Sequence, residues 1–133
     1  MADHSIAGSW RGHYAYYNVP DQGSGFGVVF VEEGGGLIGQ IRDDFWPGEA
    51  LLTGSFSYPS VTFTKVYVLG GLAPIKYEGT MTGDGNTLNG TWSIVEASVS
   101  YRGSWTAYRT DDEEKKEEKQ KRSKVKPRQE EVN

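Results

Sequence analysis

The chain has 133 residues, 18 of them Gly, with four Trp, eight Tyr, five Phe and no Cys. That length fits one domain, and without Cys no disulfide can staple it and no thiolate can serve as nucleophile or metal ligand. Residues 1–110 hold ten Asp/Glu against six Lys/Arg, so the net charge of −4 sits there, an acidic field that does not attract nucleic acid.

The first residues, Met-Ala-Asp-His-Ser-Ile-Ala-Gly, carry no basic stretch followed by an apolar run. No secretory signal peptide is therefore expected, and a cytoplasmic location is. No apolar stretch approaches the ~20 residues that a membrane-spanning helix needs. From here to residue 110 short runs alternate apolar and polar residues between Gly, Pro, Asn and Asp, the pattern of half-buried strands separated by turns. Eight strands are predicted, at 8–17, 25–32, 36–43, 50–57, 60–68, 74–82, 87–95 and 99–109. Gly83-Asp84-Gly85-Asn86 is the clearest hairpin signal, because those residues accept positive φ at little cost. Close spacing and short connections leave no room for crossover helices, so the fold expected for residues 1–110 is an all-β, eight-stranded antiparallel up-and-down barrel. Residues 111–133 form a separate tail with eight residues of each charge and only Val125 and Val132 as apolar residues. Such a segment has no face to bury, and is expected to be disordered or a solvated helix ending before Pro127.

A second pattern points to closure. Trp10-x-Gly12-x-Tyr14, Gly54-x-Phe56, Tyr77-x-Gly79-x-Met81, Leu88-x-Gly90-x-Trp92 and Tyr101-x-Gly103-x-Trp105 each set Gly two residues from a large side chain. Period-2 geometry sends both to one face, and alternating small and large residues is how a narrow barrel is filled. The inward rings would be Trp10, Tyr14, Tyr16, Phe26, Phe30, Phe56, Phe63, Tyr67, Tyr77, Trp92, Tyr101 and Trp105. They can fill a solid core or line a pocket for a flat, apolar ligand.

No specific catalytic set is present. Only His4 and His13 are available; His4 precedes the first strand and is expected to fray, and His13 has the outward parity of its strand. A His-based metal site or a Ser-His-Asp triad therefore has no support. Neither Glu32-Glu33 nor Asp43-Asp44 can share one substrate, since neighbours in a strand point to opposite faces. Lys65 shares its parity with Val61, Phe63 and Tyr67, which directs an ammonium into the barrel. A buried charge needs a partner, and Asp43 supplies one if Leu37, Gly39 and Ile41 face inward. The alternative is a rim position from which Lys65 snorkels to water. Phe45-Trp46-Pro47-Gly48 sets two large rings in a loop, where they can plug the barrel, cover its mouth or meet a partner.

Gly8-Ser9-Trp10 opening the first strand resembles the Gly-x-Trp signature of the calycins, the group of lipocalins, fatty-acid-binding proteins and avidins. The meander, the length and the Trp-bearing last two strands are also similar to avidins. The avidin biotin-binding pattern, the lipocalin disulfide and the lipocalin middle-loop motif are absent. The resemblance implies that Trp10 closes one barrel end beneath a basic side chain of the last strand, here Arg109, and that the barrel is a cup for a small hydrophobic molecule. The expected function is thus non-catalytic binding of a small hydrophobic or aromatic ligand, with no cofactor and no metal, contacted by Tyr14, Lys65, Tyr67, Tyr77, Trp92 and Trp105. Two alternatives stand beside it. One is a solid barrel that docks a protein partner through Phe45 and Trp46 or the tail. The other is a small barrel enzyme using Lys65 and Asp43 as acid–base groups. Deleting residues 112–133 is predicted to leave the melting temperature nearly unchanged; loss of cooperative unfolding in a thermal scan would make the tail part of the core.

Overall fold

The computed structural model describes residues 4–19, 23–96 and 99–110. The charged tail, residues 111–133, lies outside the described residues, as do 20–22 and 97–98. Eight strands follow one another: β1 (Gly8–Tyr16), β2 (Gly23–Glu33), β3 (Gly36–Asp43), β4 (Glu49–Ser57), β5 (Ser60–Tyr67), β6 (Ile75–Met81), β7 (Thr87–Glu96) and β8 (Val99–Arg109). Each pairs antiparallel with the next, and β8 pairs with β1, so the sheet closes on itself. The barrel is the one expected from the sequence, and closure removes every sheet edge.

Turn chemistry sets where the chain reverses. Gly34 and Gly35, at φ 60° and 83°, make the two-residue connection between β2 and β3, a conformation that costs Gly little. Between β6 and β7, the Asp84 carboxylate accepts from the Thr82 hydroxyl at 2.6 Å and the Asn86 N–H at 3.0 Å. These two connections lie at one end of the barrel together with the start of β1. The C-terminal ends of β1, β3, β5 and β7 lie at the other.

The interior is built from cross-strand pairs in which a glycine faces a ring. Gly12 lies opposite Phe26, Gly39 opposite Phe30, Gly54 opposite Phe63, Gly90 opposite Trp105 and Gly103 opposite Trp92. A methyl group on Gly103 would overlap the Trp92 indole, and one on Gly12 the Phe26 ring. Each ring thus fills the space that its glycine leaves, the device by which coiled strands keep a packed interior. The rings also meet one another. Phe63 stacks on Tyr77 at 4.7 Å, Trp105 meets Tyr77 edge-on at 5.6 Å, and Phe30 meets Phe63 at 5.6 Å. These separations fall in the favourable range for aromatic pairs.

One end is sealed. Ile6, fully buried, enters it from the segment before β1, and the Trp10 indole N–H donates to the Ile6 carbonyl at 3.0 Å. The Arg109 guanidinium lies 4.4 Å from the centre of the Trp10 ring and donates to the carbonyls of Ser5, Ala7 and Gly85. On the other flank the Glu32 carboxylate accepts from the Ser5 hydroxyl and the Ile6 and Ala7 N–H groups. Those bonds, led by the Ser5 hydroxyl, hold its pKa below the usual carboxylate value. The structure corrects the reading of His4 as frayed. Its ring stacks on Tyr58 at 4.0 Å and its Nε2 lies 2.9 Å from the Gly83 carbonyl, because the strap that delivers Ile6 passes over that hairpin. Trp10→Ala is predicted to cost about 3–5 kcal/mol through the cavity it opens. Denaturant titration measures this, and a loss below about 1 kcal/mol would show that the indole does not hold this end together.

Candidate functional site

The other end is not filled by the described residues. Its cavity has a volume of about 280 Å³ and is walled by Tyr14 and Tyr16 of β1, Lys65 and Tyr67 of β5, Ile75 and Tyr77 of β6, and Trp92 and Ile94 of β7. Loop residues Trp46, Pro47, Leu72 and Ala73 form its lip. Strand parity explains the strand-borne set. Inward positions near the mouth ends of β1, β5, β6 and β7 carry rings, aliphatic side chains or Lys65. Below the cavity the interior is filled by Phe26, Phe30, Phe63, Trp105, Leu52 and Trp10, all buried.

The polar centre of the site is a buried network. Lys65 is 1% exposed and its Nζ donates to Asp43 Oδ1 at 2.8 Å. The Tyr67 hydroxyl donates to the other carboxylate oxygen, Oδ2, at 2.5 Å. The ammonium also lies 4.6 Å from the centre of the Tyr67 ring and 5.9 Å from that of Tyr77, within reach for cation–π attraction. Asp43 reaches this position because Leu37, Ile41 and Asp43 are the buried positions of β3, while its neighbour Asp44 points outward to an ion pair with Arg11. Snorkelling of Lys65 to the rim is thereby excluded.

Burial pushes the Lys65 pKa down, and the charge and hydrogen bond of Asp43 oppose that fall. Burial raises the pKa of Tyr67, with its bond to Asp43 adding to the rise, and burial also raises that of Tyr77. For Tyr14 burial leads again, followed by the Asp43 charge. These phenols therefore keep their protons near neutral pH and serve as neutral hydrogen-bonding groups.

Of the residues singled out in the sequence, Tyr14, Lys65, Tyr67, Tyr77 and Trp92 share this cavity wall. Trp105 does not line it. Its indole N–H is shared between the Glu78 and Thr91 carbonyls at 3.1 Å each, and the ring packs lower down against Phe63 and Tyr77. Trp92 donates to the Ala15 carbonyl at 3.2 Å and meets Tyr16 edge-on at 4.9 Å. Tyr101 is a correction to the list of interior rings. It has inward parity but is 46% exposed, since it lies farther toward the mouth than Gly103 and Trp105. The Phe45–Trp46 loop is a second correction. It does not plug the barrel; Phe45 is 74% and Trp46 75% exposed, with Trp46 and Pro47 at the lip. Leu72, Ala73, Ile75 and Ile94 were missed by the sequence reading, and of these Ile75 and Ile94, each two residues from an inward ring, carried a parity signal.

Among the described residues no group of three His, Cys, Asp or Glu is placed to hold a metal ion, and no helix is long and apolar enough to cross a membrane. The chain matches no protein-family model and no curated protein, so its likeness to the calycins is one of architecture.

Removing one member of a buried pair leaves the other charged and unpaired. Lys65→Met is therefore predicted to destabilise the protein by about 3–5 kcal/mol, and Lys65→Met/Asp43→Asn to recover most of that loss. Paired denaturation curves test it; a near-neutral single substitution would mean that the ammonium is not held as a buried charge.

Proposed function

We propose that the protein is a non-catalytic, calycin-like barrel that binds a small hydrophobic or aromatic molecule in the open-ended cavity. The observation that supports this most is the division of the interior. One end is filled and strapped shut, while the other keeps about 280 Å³ of space walled by Tyr14, Tyr16, Tyr67, Tyr77 and Trp92. Ligand sites are typically concave and mostly apolar, with a few placed polar groups, and this cavity has that make-up. Its rings offer flat faces and edges to another aromatic system. Lys65 and Tyr67, both held by Asp43 behind them, give it one polar side. In this reading the network orients the ligand and does no chemistry, because both Asp43 oxygens are already engaged and no carboxylate or imidazole lines the cavity among the described residues.

A second reading has a specific observation in its favour. Phe45 and Trp46 expose two large rings side by side, and exposed rings of this kind mark docking sites for other proteins. The two readings separate by experiment. A neutral, environment-sensitive naphthalene dye is expected to bind the full chain saturably, one to one, with a blue-shifted emission. Ala73→Trp sets an indole at the lip and should abolish that binding with little change in melting temperature. Dye binding unaffected by Ala73→Trp, or absent from the parent protein, would remove the cavity reading and leave the docking one.

A further inference from the structure

The cavity is short. Phe63, Trp105 and Phe26 are buried beneath it, and the sealed end lies beyond them. A volume of about 280 Å³ is at or below the small end of ligand pockets, which span roughly 300–1,000 Å³. One ring or two fused rings match that space. A long acyl chain has nowhere to continue.

The charges inside are already matched. Asp43 holds the Lys65 ammonium on one oxygen and the Tyr67 hydroxyl on the other. An incoming carboxylate would have to share that one ammonium with Asp43, and an incoming ammonium would face Lys65. Either leaves an uncompensated charge out of water, which is expensive. The net charge of −4 over residues 1–110 adds a further penalty for anions.

The hydrogen-bonding capacity left at the cavity includes donors next to a cation. The Tyr77 side chain is 2% exposed, and its hydroxyl makes no hydrogen bond with any described residue. Yet no buried side-chain oxygen or nitrogen among the described residues lacks a partner. Tyr77 lines the cavity, which places its hydroxyl within reach of a bound molecule. Lys65, which cannot accept, has three protons and one hydrogen-bond acceptor among the described residues. Asp43, the strongest acceptor near the site, is engaged on both oxygens.

Resting on the ligand-binding reading, we infer that the cavity selects compact, uncharged aromatic molecules bearing a hydrogen-bond acceptor, of the aryl ketone or aryl amide type, with the Tyr77 hydroxyl as donor. Carboxylates and long-chain lipids are selected against.

The test compares acetylnaphthalene, methylnaphthalene, naphthoate and palmitate by calorimetric titration of the full chain. Acetylnaphthalene is expected to bind about tenfold more tightly than methylnaphthalene, the worth of one buried hydrogen bond, and at least as far ahead of naphthoate and palmitate. In Tyr77→Phe the ratio of acetyl to methyl affinity should fall to near one. That variant removes a hydroxyl with no hydrogen-bond partner among the described residues, so its melting temperature should stay close to the parent's, and a misfolded variant would lose both ligands rather than the ratio. Naphthoate or palmitate binding as tightly as acetylnaphthalene would overturn the inference, as would a preference for acetylnaphthalene that survives Tyr77→Phe. Methylnaphthalene binding as tightly as acetylnaphthalene would sink the inference alone and leave the cavity reading standing. Failure of all four to bind would take down the cavity reading, and the inference with it.

Discussion

An eight-stranded barrel has a cross-section too narrow to hold a ring from every strand at one level. The placement of rings opposite glycines meets that constraint, and the rest of the structure follows from it. Gly12, Gly39, Gly54, Gly90 and Gly103 each stand across from a ring on the neighbouring strand. At one point the glycines themselves pair, Gly79 with Gly90, and the Trp105 indole lies over the gap, 2.8 Å from where a Gly79 side chain would begin. Large and small residues thus alternate around the barrel as well as along each strand. The result is a dense lower half built from large side chains with few rotamers, close to the interior packing of native proteins.

Toward the mouth the alternation stops. Tyr14, Tyr67 and Tyr77 have no glycine directly opposite them, and with Tyr16 and Trp92 they stand around a space rather than fill it. The ion pair marks the boundary between the two regimes. Lys65 follows Phe63 by two residues on β5, and Ile41 precedes Asp43 by two on β3, so both charges sit one inward step above the packed layer. A charge there must be paired and hydrogen-bonded to be tolerated. Outside, the ion pairs of Arg11 with Asp44 and Arg42 with Glu49 are exposed on at least one side and contribute little by comparison.

Much of this was legible in the sequence because strand parity is a count from a known phase. Once Val61 and Phe63 set the inward face of β5, Lys65 had to follow them. Leu37 and Ile41 did the same for Asp43, and the opposite parity sent His13 outward. The five Gly–ring patterns foretold closure for the same reason. Parity says nothing about depth, however. Tyr101 shares the phase of Gly103 and Trp105 and is nonetheless exposed, because height along the barrel depends on the stagger summed over all eight pairings. Segments without a period were not legible at all. His4 finds its partner 79 residues away at Gly83, and the strap that carries it is placed by Glu32 and Arg109 from opposite ends of the chain. The lip residues Leu72 and Ala73 belong to the same class.

The two ends of the barrel also differ in what their aromatic residues can do, and the difference lies in hydrogen bonding rather than in size. At the sealed end the Trp10 N–H is satisfied by Ile6, its ring face is covered by Arg109, and each Arg109 nitrogen has a carbonyl. No capacity is left for a second molecule, and opening that end would strand several polar groups at once. At the mouth the backbone-bonded Trp92 and the Asp43-bonded Tyr67 are fixed by the protein, while the Tyr77 hydroxyl has no hydrogen-bond partner among the described residues. Fixed rings lose little entropy when a ligand packs on them, and a free hydroxyl loses only water. A rigid aromatic wall with hydrogen-bonding capacity to spare is the arrangement in which binding costs the protein least, and in this barrel it occurs at the end that holds the cavity.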